Sequence, residues 1–180
     1  MTNLELYRPS PVLLRHAVAM CRKAAMKEIE SKTSVEAAAR MHDSVISTII
    51  LGHAAMESEL SWLVVEAQVK KRHWPTEILE SINDIAAVKG RPIVTQFPPN
   101  FLGRFEIIGA WRNFLQHRDE KSLGNLTSKI PIVQYEDLSP ELAREVIEVT
   151  DIFFDFISTT TGSQLIGPSN LLWVSPTELL

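Results

Sequence analysis

The sequence of 180 residues has a single cysteine, Cys21, and seven glycines. One cysteine excludes an intramolecular disulfide and a zinc site built from several cysteines. Apart from the motif described below, the chain has no glycine-rich phosphate loop, no nucleophile elbow and no metal-binding constellation. We therefore expect neither a metal nor another cofactor.

Long apolar runs are also missing. The longest, at positions 49–51 and 63–65, fall far short of the ~20 residues that a membrane-spanning helix needs. The first residues lack the charged and apolar regions of a secretory signal. These absences predict a cytoplasmic protein without a membrane association.

The chain has no excess of positive charge. It contains 18 basic and 22 acidic residues, which give a net charge of −4, and its pI is about 5.7. The field of the whole molecule therefore does not favour nucleic acid, and any contact with RNA or DNA must be confined to a local patch. Hydrophobic residues make up 45% and charged residues 22% of the chain, values that are ordinary for a soluble globular protein.

Apolar residues that repeat every three to four positions dominate the chain, and strand-like alternation is nearly absent. The pattern predicts an all-α fold, an up-and-down bundle of about five helices, in a single domain of residues 1–162. The second helix is long, from about Ser34 to the basic residues near position 72, and we expect a kink or break near Gly52. The five helices are predicted to start near positions 10, 34, 75, 101 and 139.

Two segments lie outside these helices. Residues 119–138 are predicted to form a loop, with a short β-leaning run at 132–135. Residues 163–180 form a C-terminal tail, in which the apolar residues 171–173 are expected to pack against another part of the protein.

Two of the predicted helices carry polar residues on their apolar faces. In the second helix, His53 and Glu57 lie within a seam of apolar residues, and in the fourth helix Arg112 interrupts a similar seam. Since an isolated buried charge costs several kcal/mol, we expect Arg112 to contact Glu57. Such a pair serves either catalysis or simply the register of the two helices. For His53, a core position is favoured over a catalytic role.

The fourth helix ends with a polar motif, Arg112-Asn113-Phe-Leu-Gln-His117. A guanidinium neutralises the charge that develops on a phosphate and an imidazole transfers a proton, so the pair can cleave a phosphodiester without a metal. Asn113 lies four residues before His117, a spacing at which its amide can orient the imidazole. Arg112 points roughly 140° away from His117 on a regular helix. Either the helix ends before His117, or a second copy of the chain completes the site in a homodimer.

This motif late in a helix, with Glu57 on the long helix before it, resembles the HEPN (higher eukaryotes and prokaryotes nucleotide-binding) superfamily. The resemblance covers about residues 44–158. Members of the family are typically small and often dimeric helical bundles. Many are metal-independent endoribonucleases of toxin–antitoxin, phage-defence or RNA-processing systems.

The resemblance implies a role for each residue. Arg112 would bind the scissile phosphate, His117 would transfer protons and Asn113 would orient His117. Glu57, which matches an acidic residue that often faces the motif, would support the two catalytic residues. The RNA 2′-hydroxyl would attack the adjacent phosphate and leave a 2′,3′-cyclic phosphate. The implied partners are RNA, a second copy of the chain and a regulatory protein. Because non-catalytic members exist, a binding or regulatory module is the alternative function.

A cluster of basic residues precedes Trp74. Lys70, Lys71 and Arg72, beside this aromatic side chain, predict a weak RNA-binding patch, to which Arg118 would add. The alternative is that the cluster is the solvated C-terminal end of the second helix, where the helix dipole favours positive charge. The chain has no basic recognition helix suited to the major groove of DNA.

Overall fold

Six α-helices form the described part of the chain, which comprises residues 8–130, 137–165 and 167–168 of a computed structural model. No strand occurs in these residues, so the predicted all-α class is confirmed. None of the helices described is long and apolar enough to cross a membrane. The helices are α1 (Ser10–Ser31), α2 (Val35–Glu66), α3 (Ile78–Val88), α4 (Phe101–His117), α5 (Glu120–Lys129) and α6 (Pro140–Thr161).

Local sequence signals explain several helix ends. Ser34 and Ser139 each accept a hydrogen bond of 3.3 Å from the backbone N–H three residues later, which caps the starts of α2 and α6. Pro140 occupies the first position of α6, where a helix has no use for the missing N–H. Helix α6 ends at Gly162, whose φ of 69° lies in the left-handed region that glycine enters easily.

Helix α2 differs from the prediction in two ways. It has no break at Gly52, where a kink or break is predicted, and it ends at Glu66, before the basic residues 70–72. Gly52 is instead a site of close packing, because a Cβ atom at this position would lie 2.6 Å from Cγ1 of Val146 on α6. The basic cluster lies in the segment that leads to α3, so it is not the end of a helix.

Helix α5 is an addition to the prediction, which has a loop at residues 119–138. A capping box starts this helix: the Asp119 carboxylate accepts from the backbone N–H of Ser122 at 2.7 Å, and the Ser122 hydroxyl accepts from the N–H of Asp119 at 3.3 Å. Ser122 and Leu126 are its buried residues, a face too narrow to give a periodic signal. The predictions for residues 132–135 and 171–173 lie outside the described residues.

Helix α2 lies at the centre of the bundle. It packs against α1, α3, α4 and α6, and α6 also contacts α1, α3 and α4. The predicted seam is buried only in part: His53, Leu60 and Val64 are buried, but Ile46, Ile50 and Glu57 are partly exposed, and Val45 and Ile49 are fully buried instead. The largest fully buried side chains of the described core are Trp111, Phe101, Phe153, Leu14, Ile49, Met56, Leu63, Ile82, Ile85, Ile108, Leu126 and Ile157.

The contact between α2 and α6 predicts opposite effects for two glycine substitutions. We expect Gly52→Ala to lower the free energy of unfolding by about 1–3 kcal/mol, because the new methyl group would overlap Val146. Gly124→Ala on α5 is the matched control, since no atom lies within 4 Å of its added Cβ. Removing this helical glycine should raise stability by about 0.5–1 kcal/mol. Urea unfolding measures the free energy of unfolding of both variants. The same change in both would contradict the close packing at Gly52.

Candidate functional site

A groove of about 1130 Å³ opens on one side of the bundle. Its walls come from α2, α3, α4 and α5 and from the two segments that precede and follow α3. His53, Glu57, Arg112 and Asn113 line this groove, whereas His117 does not. The structure thus brings together most of the polar residues singled out in the sequence, but it separates the histidine of the motif from its arginine.

The segment between α3 and α4 forms one wall and is anchored at two points. The side-chain amide of Asn83 donates to the carbonyl of Val94 at 2.8 Å and accepts from the N–H of the same residue at 2.9 Å. Phe97 packs against Phe101 and Phe156, with ring centroids 5.2 and 5.6 Å apart. This wall is therefore fixed to α3, α4 and α6 although it is not helical.

Aromatic rings lie beneath the groove. The rings of His53 and Phe105 are nearly parallel, with centroids 5.8 Å apart, and those of Phe105 and Phe153 are parallel at 6.5 Å. Trp74 stands nearly perpendicular to His53, Phe105 and Phe153, at centroid distances of 5.6, 5.5 and 6.1 Å. Contacts of these two kinds contribute roughly 0.5–1.5 kcal/mol each beyond the area they bury. The cluster joins α2, α4 and α6 to the segment that carries Trp74.

His53 is 5% exposed, and its Nδ1 atom is buried with no hydrogen-bond partner among the residues described. Burial, assisted by the positive charge of Arg112, lowers the pKa of His53 from 6.5 to about 4. The imidazole is therefore neutral near pH 7 and a weak base. The predicted core position of His53 is confirmed by its burial, but the hydrogen bonds expected of a core histidine are not complete among the described residues.

Arg112 is half-buried in the wall of the groove. Within the described part of the chain, its guanidinium makes one hydrogen bond, from Nη1 to Oδ1 of Asn113 at 2.9 Å. The amide of Asn113 thus holds the guanidinium without neutralising it. No hydrogen bond joins Asn113 to His117 among the described residues, and the oxygen of the Asn113 amide accepts from Arg112 instead.

Glu57 lies one turn after His53 on α2 and lines the same groove. Among the described side chains, it makes no hydrogen bond and no ion pair within 4.0 Å, with Arg112 or with any other group. The predicted contact between Glu57 and Arg112 is therefore wrong. Both side chains are only half-buried and reach solvent through the groove, so neither has to be neutralised by the other.

A buried ion pair does join α2 to its surroundings, but it forms at Glu59, which the sequence analysis does not single out. The Glu59 carboxylate is 1% exposed and accepts from Nε of Arg8 at 3.0 Å and from the hydroxyl of Ser10. The guanidinium of Arg8 also lies 4.5 Å above the ring of Trp62. Glu59 is four residues before the buried Leu63, and this spacing is the signal that could have found it.

His117 is the last residue of α4 and is exposed. The helix therefore does not end before His117, and that option of the prediction is wrong. Arg118, which follows it, is exposed as well. Hydrogen bonds from Ser122 lower the pKa of the nearby Asp119, and the charge of His117 contributes to a smaller degree. Within one copy of the chain, His117 thus lies at the junction of α4 and α5 and is not among the residues that line the groove.

The predicted RNA-binding cluster contains fewer free charges than its sequence indicates. Lys70 and Lys71 are exposed, but Arg72 forms an ion pair with Asp84 on α3 at 2.7 Å. Lys71 and Arg72 border a second cavity of about 30 Å³, which shares Trp74 with the groove. The cluster is therefore adjacent to the groove, with two lysines available to attract an anion.

The remaining charges of the groove are paired or exposed at its edge. Glu106 of α4 pairs with Lys129 of α5 at 2.6 Å, and Glu80 of α3 is exposed. No group of three or more His, Cys, Asp and Glu that could hold a metal ion was found in the residues that the structure describes. Among the described groove residues, Arg112 is the cation without a carboxylate partner.

Comparisons of the chain with protein-family models, with curated proteins and with solved structures gave no match. The function must therefore be argued from the chemistry of the groove. The main elements of the groove are the guanidinium of Arg112, the neutral ring of His53, the aromatic cluster and the carboxylate of Glu57, which has no partner among the described residues.

Replacing His53 by phenylalanine tests its neutral, buried state. The pKa of His53 is about 4 in the folded chain, against 6.5 in the unfolded chain. The unfolded chain therefore binds more protons between these values, and stability falls as the pH drops from 6.5 towards 4. His53 alone lowers the free energy of unfolding by about 3 kcal/mol at pH 4. His53→Phe should remove most of that loss, which urea unfolding across this pH range measures.

The exposed His16 of α1 supplies the matched control. His16→Gln should leave the pH dependence of the free energy of unfolding as it is in the wild type. If His53→Phe likewise left it unchanged, the imidazole of His53 would not be a buried, neutral group.

Proposed function

We propose that the protein is a metal-independent endoribonuclease of the HEPN type. The observation that carries the proposal is the state of Arg112. Its guanidinium lies half-buried in the wall of a large groove, is held by the neutral amide of Asn113 and has no acidic partner in the described part of the chain. A cation in this situation attracts an anion, and a guanidinium fork matches the oxygens of a phosphate.

The size and lining of the groove support a nucleotide chain as the ligand. At about 1130 Å³, its volume exceeds the ~300–1,000 Å³ of typical small-molecule pockets, so it has room for a short segment of a polymer. Trp74 and Phe97 offer aromatic surface, and Gln96 and Asn125 offer side-chain amides. Single-stranded RNA is recognised by stacking on such rings and by hydrogen bonds to the edges of its bases.

In the proposed reaction, the RNA 2′-oxygen forms a bond to phosphorus as the bond from phosphorus to the next 5′-oxygen breaks. The 2′-hydroxyl loses its proton and the leaving 5′-oxygen gains one, so the products are a 2′,3′-cyclic phosphate and a 5′-hydroxyl. Arg112 would neutralise the charge on the phosphate oxygens in the transition state, and His117 would transfer the protons. Asn113 would be a positioning residue for Arg112, in place of the role towards His117 that the resemblance implies.

A second copy of the chain is required to complete this site. The imidazole must come within hydrogen-bond distance of the reacting oxygens, yet His117 lies at the exposed end of α4, outside the groove that contains Arg112. We therefore place His117 of one copy at the groove of the other. A two-fold homodimer would form two such sites, because both copies use the same surface.

The position of His117 also favours a second candidate, a binding module without catalysis. If no second copy brings His117 to the groove, Arg112 still binds phosphate but lacks an acid–base group beside it. His53 does not replace His117 in that role, because its pKa of about 4 makes it a weak base at neutral pH. The chain would then bind RNA and leave it intact.

Cleavage of RNA by purified protein in the presence of a chelator tests the proposal. We expect Arg112→Ala and His117→Ala each to lower the cleavage rate by roughly 10²–10³-fold. Arg15→Ala and His16→Ala remove the same two side-chain types from the exposed face of α1 and should keep the wild-type rate. Binding without cleavage would support the binding module instead, and cleavage that is unaffected by all four substitutions would contradict the proposed site.

Mixing the two inactive variants tests the composite site. In a dimer that joins Arg112→Ala to His117→Ala, one of the two sites combines an intact Arg112 with an intact His117. Random exchange of subunits makes half of the dimers mixed, so roughly a quarter of the wild-type activity should return. If each site took both residues from one copy, the mixture would remain as inactive as its components.

A further inference from the structure

Two opposite charges face the groove without neutralising each other. The Glu57 carboxylate of α2 has no hydrogen-bond or ion-pair partner in the part of the chain described, and the Arg112 guanidinium of α4 bonds to a neutral amide. Both are half-buried, and their charged atoms are more than 4.0 Å apart. The gap between them suits a ligand that offers an anion at one end and N–H donors at the other.

A ribonucleotide is such a ligand, because its phosphate is an anion and its base carries N–H groups. A carboxylate only accepts hydrogen bonds. Guanine presents two adjacent donors, N1–H and the N2 amino group, which match the two oxygens of one carboxylate. Adenine and cytosine place an acceptor nitrogen beside the amino group, and uracil places N3–H between two carbonyls. With any of these three bases, an acceptor lone pair would face a carboxylate oxygen, and two acceptors repel each other. Guanine is therefore the base that fits.

The surroundings of Glu57 suit a flat base. Trp74 borders both the groove and the small cavity beside it, and Glu57 lines the same two spaces, so indole and carboxylate are neighbours. A base whose edge meets the carboxylate has aromatic surface within reach for stacking. His53, one turn before Glu57, is a neutral ring packed against Phe105 and does not occupy the carboxylate as a charged partner.

We propose that Glu57 recognises an unpaired guanine of the RNA by accepting hydrogen bonds from N1–H and from the N2 amino group, while Arg112 holds the phosphate of the same nucleotide. This inference rests on the proposed ribonuclease function and adds a base preference to it. Glu57 is then a specificity-determining residue, and the RNA is cut beside unpaired guanosines.

Calorimetric titration of the full-length protein with nucleoside monophosphates tests the base preference. The probes are the 3′ and 5′ monophosphates of guanosine, inosine, adenosine, cytidine and uridine. The better-bound guanosine isomer should bind roughly 5- to 20-fold more tightly than its inosine counterpart, which lacks the N2 amino group and so loses one hydrogen bond. Adenosine, cytidine and uridine should bind more weakly still. Equal affinities for guanosine and inosine would overturn the proposal.

Two variants that each remove one negative charge test whether Glu57 is the source of the preference for guanosine. Glu57→Gln should abolish the preference for guanosine over inosine, because an amide presents one acceptor where the carboxylate presents two. Glu80→Gln removes a carboxylate from the exposed edge of the same groove and should keep the preference. If Glu80→Gln abolished the preference and Glu57→Gln retained it, the recognition by Glu57 would be refuted.

The phosphate end of the ligand is tested separately with Arg112→Gln. In the wild type, guanosine monophosphate should bind at least about tenfold more tightly than guanosine itself, because charge-assisted hydrogen bonds to the phosphate add to affinity. Arg112→Gln should remove this difference and leave the preference for guanosine over inosine. Free arginine also carries parallel N–H donors and a carboxylate. If arginine bound as tightly as guanosine monophosphate, the groove would not distinguish a nucleotide from an amino acid and the proposal would fail.

These titrations separate the base preference from the ribonuclease proposal. A preference for guanosine monophosphate in a protein that leaves RNA intact would retain the role of Glu57 and refute the nuclease. Cleavage of RNA without any preference for guanosine monophosphate would retain the nuclease and refute the role of Glu57.

Discussion

The contacts among His53, Phe105, Phe153 and Trp74 determine the shape of the groove. These side chains come from α2, α4, α6 and the segment before α3, so one cluster fixes three walls of the groove, α2, α4 and that segment, relative to one another. The burial that stabilises the cluster also lowers the pKa of His53 to about 4. Packing thereby keeps His53 uncharged in the groove. A protonated imidazole would repel Arg112 and would compete with a ligand for the carboxylate of Glu57.

Charges that stabilise the fold and charges available to a ligand occupy different depths in this protein. Glu59 is almost fully buried, so it requires the compensation that Arg8 and Ser10 supply. Glu57 and Arg112 are half-buried beside a groove, where solvent or a ligand can satisfy them. The depth of each carboxylate on α2 therefore decides whether it serves the fold or remains free to bind.

The sequence predicts the parts of this structure that follow from repeated local signals. The bounds of α4 and the cap of α6 come from prolines, a capping serine and regular apolar spacing. Helix α5 is not predicted, because its only strong sequence signals are a capping box and one buried leucine. The arrangement of charges in the groove is not predicted for a different reason. Glu57 and Glu59 point roughly 160° apart on α2, and the packing of four helices around α2 buries Glu59 and leaves Glu57 partly exposed.

The geometry of α4 has a consequence for how binding and cleavage are related under the proposed function. The helix is regular through His117 and ends at Arg118, whose φ of 51° turns the chain away. No change within this helix brings His117 to the face that carries Arg112, because residues five positions apart point in different directions. The groove of a single copy therefore contains the groups that would hold a nucleotide, Glu57 and Arg112, but not His117, which would transfer protons. A single copy would bind a nucleotide, but only the dimer would cleave RNA. Conditions that separate the two copies would therefore abolish cleavage while nucleotides still bind.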